Sequence, residues 1–218
     1  IIKNAKDVSI MSDELKLQCV DWPTHYYLNK NRVNLLRHFT EQLKNANVLE
    51  IGAGCGAITR FLGECQANVF ALEGSKRRAS IARERCRDLP NVELVSENFT
   101  EFQLNQQFDV ITLIGVLEYA NWFTPGENPA LEMLKKVRGF LKPNGIFVIL
   151  ETSVPTKFPF KQGYGFYTKF ILPLIGKLFS KDNSAYAYLS ESANAFPYGE
   201  KLNNILRKIG FNSVESYQ

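Results

Sequence analysis

Histidine is nearly missing from this chain, with two in 218 residues, and the four cysteines, at positions 19, 55, 65 and 86, form no Cys-x-x-Cys pair. Zinc sites and disulfide scaffolds draw on such ligands at short regular spacing, so neither is expected. No carboxylate trio suited to a hard divalent cation is evident either, and no metal is expected. Long apolar runs are lacking too. The most hydrophobic stretch, 170–176, contains Pro173 and falls far short of the ~20 residues that cross a bilayer as a helix. With no signal-peptide pattern and no disulfide pattern, a reduced, cytoplasmic setting is expected. Charge of one sign is also scarce. The 26 basic residues stand against 22 acidic ones, a net +4, without the dense basic stripe of a nucleic-acid binder. There is no Asn-Pro-Pro-Tyr-like run of the kind that handles nucleobase amines, and nucleic acid is not an expected partner.

What is present is the composition of an ordinary globular chain, 45% hydrophobic and 22% charged, long enough for one α/β domain with an elaboration. Residues 31–44 place Val33, Leu36, Phe39 or Thr40, and Leu43 on one face and predict a helix. Strands are predicted at 48–51, 68–72, 92–95, 108–114 and 146–150. Helices alternate with them at 57–63, from an N-cap at Ser75 to about Leu89, and over 128–141, with Pro143, Asn144 and Gly145 turning the chain into the fifth strand. That alternation implies a doubly wound, mainly parallel sheet. The basic residues Lys76, Arg77, Arg78, Arg83, Arg85 and Arg87 read as the solvated face of the second helix. From 151 to 197 the alternation stops in an aromatic stretch, before a last helix at 199–209 and a strand near Ser213. The expected organisation is a single domain: N-terminal cap helices at 1–45, a cofactor core at 46–151, an acceptor lid at 152–198, and a final helix and strand at 199–218. The chain opens on Ile1 and stops soon after a helix that ordinarily feeds the last, antiparallel strand of such a sheet, so a piece of a longer protein is expected.

Between the first strand and its helix lies Gly52-Ala53-Gly54-Cys55-Gly56. Glycines there let backbone approach a ligand closely and turn helix N-terminal N–H groups toward it. A dinucleotide fingerprint has its third glycine one residue later, so this spacing departs from it. Glu73, about twenty residues on at the end of the second strand, suits the two hydroxyls of a ribose.

With Val48-Leu49-Glu50-Ile51-Gly52-Ala53-Gly54-Cys55-Gly56 as first motif and Ala71-Leu72-Glu73-Gly74 as second, residues 48–151 resemble the class I S-adenosylmethionine-dependent methyltransferases. The resemblance implies that Gly52, Gly54 and Gly56 hold the methionine end of the cofactor and Glu50 helps orient its amino group. It further implies that Glu73 binds the ribose, that Asn98 and Phe99 flank the adenine, and that Gly115, opening Gly115-Val116-Leu117-Glu118-Tyr119, keeps the wall near the sulfonium open.

Methyl transfer is an in-line displacement that needs alignment, desolvation and sometimes a base, so no catalytic motif is obligatory. Candidate bases are His25, in Trp22-Pro23-Thr24-His25-Tyr26-Tyr27, with Glu118 and Tyr119. Residues 20–148 resemble bacterial surface-glycan methyltransferase domains of the O-antigen type, through Trp22-Pro23, Asn34-Leu35-Leu36-Arg37, Leu72-Glu73-Gly74-Ser75 and the strand-four segment. Residues 151–218 resemble demethylmenaquinone and ubiquinone C-methyltransferases, through Tyr167-Thr168-Lys169-Phe170-Ile171-Leu172-Pro173, Tyr186-Ala187-Tyr188-Leu189-Ser190-Glu191-Ser192 and Ala195-Phe196-Pro197. Two halves with different likenesses suggest a chimera or a divergent relative. Where the quinone enzymes carry an arginine tied to proton removal, this chain has Leu117. Methyl transfer to an oxygen of a surface-glycan or lipid-linked acceptor is the leading expectation. Carbon methylation of a prenylated quinone, or an inactive cofactor-binding scaffold, are the alternatives. Tyr164, Tyr167, Tyr186 and Tyr188 are expected to wall the acceptor lid, whose interleaved lysines suit peripheral contact with the inner face of an anionic membrane.

Overall fold

The computed structural model describes residues 1–151, 155, 157–171 and 198–216. Its residues cluster into two compact units. The first comprises Ile1–Val116 with Gly139–Leu150, the second Leu117–Arg138 with Glu151–Gln218.

Five strands build the first unit: β1 Asn47–Ile51, β2 Asn68–Leu72, β3 Val92–Val95, β4 Phe108–Ile114 and β5 Leu141–Leu150. They pair in parallel in the order β3-β2-β1-β4-β5. The chain therefore starts at the centre, runs outward through β2 and β3, and returns to the other side of β1 at β4. The loops after β1 and β4 leave in opposite directions, and the crevice between them is where open α/β sheets bind ligands. Val48, Leu49 and Ile51 of β1 and Val110, Ile111 and Leu113 of β4 are all buried, as expected of central strands covered on both faces.

Helix α4 (Ala57–Glu64) is buried along its first seven residues. It ends where the Asn91 side-chain amide donates to the carbonyls of Gly63 (2.9 Å) and Ala67 (2.7 Å), satisfying groups the helix leaves open. Ser75 caps α5 (Lys76–Arg85) as expected, accepting from the Arg78 N–H. The helix stops four residues before Leu89. Its basic residues are not a uniformly solvated face: Arg85 is fully buried and its Nη1 donates to the Tyr27 carbonyl at 2.6 Å. Arg60 of α4, also buried, pairs with Glu64 and Asp88.

The N-terminal segment brings α1 (Asp13–Leu17) and α2 (Trp22–Leu28). The expected helix over 31–44 forms instead as a 3₁₀ segment, Lys30–Phe39, followed by α3 (Thr40–Leu43). Val33, Leu36 and Phe39 recur every three residues, which suits three residues per turn, and Val33 and Leu36 are fully buried. β5 also differs. It begins at Leu141, and Pro143-Asn144-Gly145 forms a bulge inside it rather than a turn before it. The register passes from Phe108↔Leu141 to Val110↔Ile146. Asp109 pins this region, accepting from Asn47 N–H (2.9 Å) and pairing with Lys142 (2.9 Å).

The second unit begins with a 3₁₀ turn, Leu117–Tyr119, and α6 (Ala120–Phe123). It takes in most of α7 (Pro129–Phe140), then α8 (Phe160–Phe166) with a π-helical continuation Tyr167–Ile171, and α9 (Glu200–Lys208). The strand expected near Ser213 is not formed among the described residues. Gly210, at φ +97°, ends α9, and the backbone there bonds back to the helix and to Arg138 (Phe211 N–H to Leu206 O, 3.1 Å; Arg138 Nε to Gly210 O, 3.1 Å).

Leu62 faces the sheet from α4 with no exposure. Leu62→Ala is expected to lower the unfolding free energy by about 2–5 kcal/mol in urea titrations.

Candidate cofactor site

Parallel pairing sets the end of β1 beside the end of β2, with Ile51 opposite Leu72. The N–H groups of Gly52 and Ala53 both donate to the Leu72 carbonyl at 2.9 Å, which anchors the glycine loop to the second strand. Gly56, at φ +80°, begins α4 so close to α5 that a Cβ would lie 2.9 Å from the Ala82 Cα. Gly54 differs in kind. At φ +57° it needs a residue tolerant of left-handed backbone, yet a Cβ there would meet nothing within 4 Å, and the same open space lies over Gly115 and Gly74. Gly54, Gly74 and Gly115 thus leave an open cradle at the ends of β1, β2 and β4, whereas a Cβ at Gly52 would run into the Val116 side chain.

Glu73 borders that cradle and is 4% exposed. Its Oε2 accepts the Gly54 N–H at 2.8 Å, while Oε1 accepts the Ser75 N–H at 2.8 Å and Arg78 Nε at 2.9 Å. Glu50, the last acidic residue of β1, is 3% exposed, and its Oε2 has no hydrogen-bond partner. Its neighbour across the sheet, Thr112 of β4, has an equally buried and unpartnered hydroxyl. Burial pushes the Glu50 carboxyl from 4.5 up to about 7, against the pull of the nearby Thr59 hydroxyl and, more weakly, of the Arg32 guanidinium. An open glycine cradle with a buried, unmatched carboxylate beneath it fits a ligand that brings a cationic donor.

Asn98 follows β3, its backbone carbonyl closing a turn by accepting from Glu101 and Phe102 N–H at 3.0 Å. Phe99, expected beside the adenine, is buried, with its ring 6.1 Å from that of Phe140 in the core. His25 lies exposed on α2, which is started by a capping box between Asp21 and Thr24. With Trp22, Tyr26, Asn29, Asn31 and Arg32 it lines a cleft of about 390 Å³. Trp22 stacks on Tyr26 (5.1 Å), and the Arg32 guanidinium sits 4.0 Å over the Tyr26 ring. Glu118 and Tyr119 belong to the second unit, Glu118 half-buried and Tyr119 tilted against Trp122 at 6.0 Å. Leu117 beside them is buried, its N–H donating to Glu151 Oε1 at 2.7 Å. Tyr164 and Tyr167 lie on α8 and its continuation, while Tyr186 and Tyr188 fall outside the described residues. Arg78, Arg32 and Thr112 enter the site without having stood out in the sequence. Two of them belong to ordinary-looking charge patterns and one to an apolar strand.

A parallel sheet that opens on β1, a glycine cradle after that strand and a buried acid ending the next define a class I S-adenosylmethionine-dependent methyltransferase. The comparisons agree and go further. Residues 26–218 match the ubiE/COQ5 methyltransferase family. A demethylmenaquinone methyltransferase of Geobacillus stearothermophilus is 33% identical over 193 residues, 85% of this chain and 79% of that protein. One from Bacteroides fragilis is 36% identical over 144 residues, 66% of this chain and 51% of the relative. The solved N-methyltransferase NodS of Bradyrhizobium japonicum WM9 shares the fold, with a TM-score of 0.55 at 15% identity over 90% of this chain and 83% of that one. The chain belongs to the ubiE/COQ5 methyltransferase family, and S-adenosylmethionine is its cofactor. The family match runs through both halves that resemble different enzymes in sequence.

Glu50 carries a pH prediction. Its folded pKa stands above the unfolded value, so its contribution to stability is full below about 4.5 and is lost as pH rises through about 7. In thermal melts of the cofactor-free protein, Glu50→Gln is expected to gain on the wild type as pH rises, by on the order of 3 kcal/mol at pH 8, and to match it near pH 4.

Proposed function

We propose that this protein methylates a lipid-soluble aromatic ring of the demethylmenaquinone kind, taken up at an anionic membrane surface. The observation that carries the acceptor reading is an apolar pocket of about 510 Å³ in the second unit, walled by Pro155, Pro159, Phe160, Gly163, Tyr164 and Tyr167. Such a wall suits a ring and its prenyl tail far better than a saccharide, whose hydroxyls would lose water without gaining partners. Around it Phe158, Phe160, Phe166 and Phe170 are exposed, with Lys157, Lys161 and Lys169 interleaved, and Lys169 Nζ lies 5.6 Å from the Phe170 ring. Protruding aromatics among lysines suit the interfacial zone of an anionic bilayer. No helix among the described residues is long and apolar enough to cross a membrane. The relatives' names support the same acceptor class.

The cofactor, when bound, supplies a methyl group made electrophilic by its sulfonium. The protein's own residues do the rest. The open space at Gly54 lets backbone close on the methionine end, with Gly52 and Gly56 shaping the loop that carries it. Glu50 and Thr112 accept from its ammonium, Glu73 from the ribose hydroxyls, and Asn98 meets the adenine edge. Gly115 leaves the approach to the methyl group open. Attack by a ring carbon requires a proton to leave, and His25 in the cleft beside Arg32 is the base we assign, with the Arg32 guanidinium steadying a phenolate oxygen.

Leu117 favours a second reading, methyl transfer to an oxygen, in which no carbon-bound proton has to be removed. Supplying methyl-¹³C cofactor to two vesicle-borne acceptors, a demethylmenaquinone and a polyprenyl-linked saccharide, separates the two. Label on a ring carbon is the expected result. Label on oxygen of either acceptor contradicts carbon methylation, and cofactor binding without transfer to either marks a binding module. In the same assay His25→Gln is expected to lower kcat by about 10²–10⁴-fold with unchanged cofactor affinity.

A further inference from the structure

A carboxylate offers about four acceptor positions, two on each oxygen. Within the protein Glu73 has already filled three of them, with Gly54 N–H on Oε2 and with Ser75 N–H and Arg78 Nε on Oε1. Arg78 Nη2 crowds the same oxygen at 2.9 Å. A vicinal diol that gives both hydroxyls to this carboxylate needs two positions, and one remains. The backbone donors cannot withdraw without opening the glycine loop or the first turn of α5. Arg78 can, because its side chain is 49% exposed and the Tyr27 phenol of α2 also faces it.

We propose that Arg78 is a placeholder on the ribose carboxylate, positioned to leave Glu73 Oε1 when the cofactor ribose arrives and to move toward Tyr27. The inference rests on the assignment of Glu73 to the ribose. In the cofactor-free protein the guanidinium keeps a nearly buried carboxylate paired, so that Glu73 is not left as an isolated interior charge. On binding, the ribose competes with that ion pair, and the released arginine ties cofactor occupancy to α2. The backbone of that same residue is held by α5, through the Arg85 bond to the Tyr27 carbonyl.

Calorimetric titration with S-adenosylhomocysteine tests the competition without any acceptor. Arg78→Met removes the competitor and is expected to tighten binding by about two- to tenfold while lowering the melting temperature of the cofactor-free protein. Arg78→Lys keeps the charge and is expected to lie between Met and wild type. Tyr27→Phe removes the second partner and is expected to weaken binding. Hydrogen exchange over residues 22–28 should respond to the ligand in the wild type and much less in Arg78→Met. Unchanged or weakened binding in Arg78→Met overturns the proposal, as does an α2 that responds equally in both proteins. Wild-type affinity in Glu73→Ala is a separate failure, which removes the ribose assignment itself.

Discussion

The hydrogen bond from the Gly54 N–H to Glu73 Oε2, 2.8 Å long, joins the loop after the first strand to the acid that ends the second. It can form only because β1 and β2 run parallel and in register, so that Ile51 and Leu72 finish side by side. An antiparallel neighbour would carry its acid to the far edge of the sheet. The left-handed backbone at Gly54, the open space above it and the burial of Glu73 all follow from that alignment. Return of the chain to β4 on the other side of β1 then adds Thr112 and Gly115 to the same edge. The candidate cofactor site is the place where three strand ends are made to coincide.

The first unit buries charge that the fold does not fully neutralise. Glu50 lies under the loop with an unpartnered oxygen, and Arg85 is buried with its Nε and Nη2 unpaired. Interior groups of this kind work against folding until something supplies their partner. A ligand that binds only the native state returns that free energy as apparent stability. A ligand with a cationic group over Glu50 would supply the partner that this carboxyl lacks.

Much of this was legible in the residue order. Val48, Leu49 and Ile51 read as a covered strand because nothing polar but Glu50 interrupts them, and Glu73 stood out through its distance from the glycines. Other features resist such reading for physical reasons. α5 carries arginines on several sides, so spacing alone does not tell that Arg85 turns inward and Arg78 toward Glu73 while the others meet water. Phe99 follows a site-like asparagine, yet its ring is drawn into the core by Phe140. Pro143-Asn144-Gly145 has turn chemistry that a bulge uses equally well, because both need a left-handed residue, here Asn144 at φ +62°. The acceptor is least legible, because methyl transfer imposes geometry and no obligatory side chain.

A crystal structure of the S-adenosylhomocysteine complex tests the central claim most directly. The account predicts both ribose hydroxyls on the Glu73 carboxylate, with Arg78 withdrawn from Oε1 and Gly54 still donating to Oε2. A ribose bound elsewhere, with the Arg78–Glu73 pair intact, would contradict it.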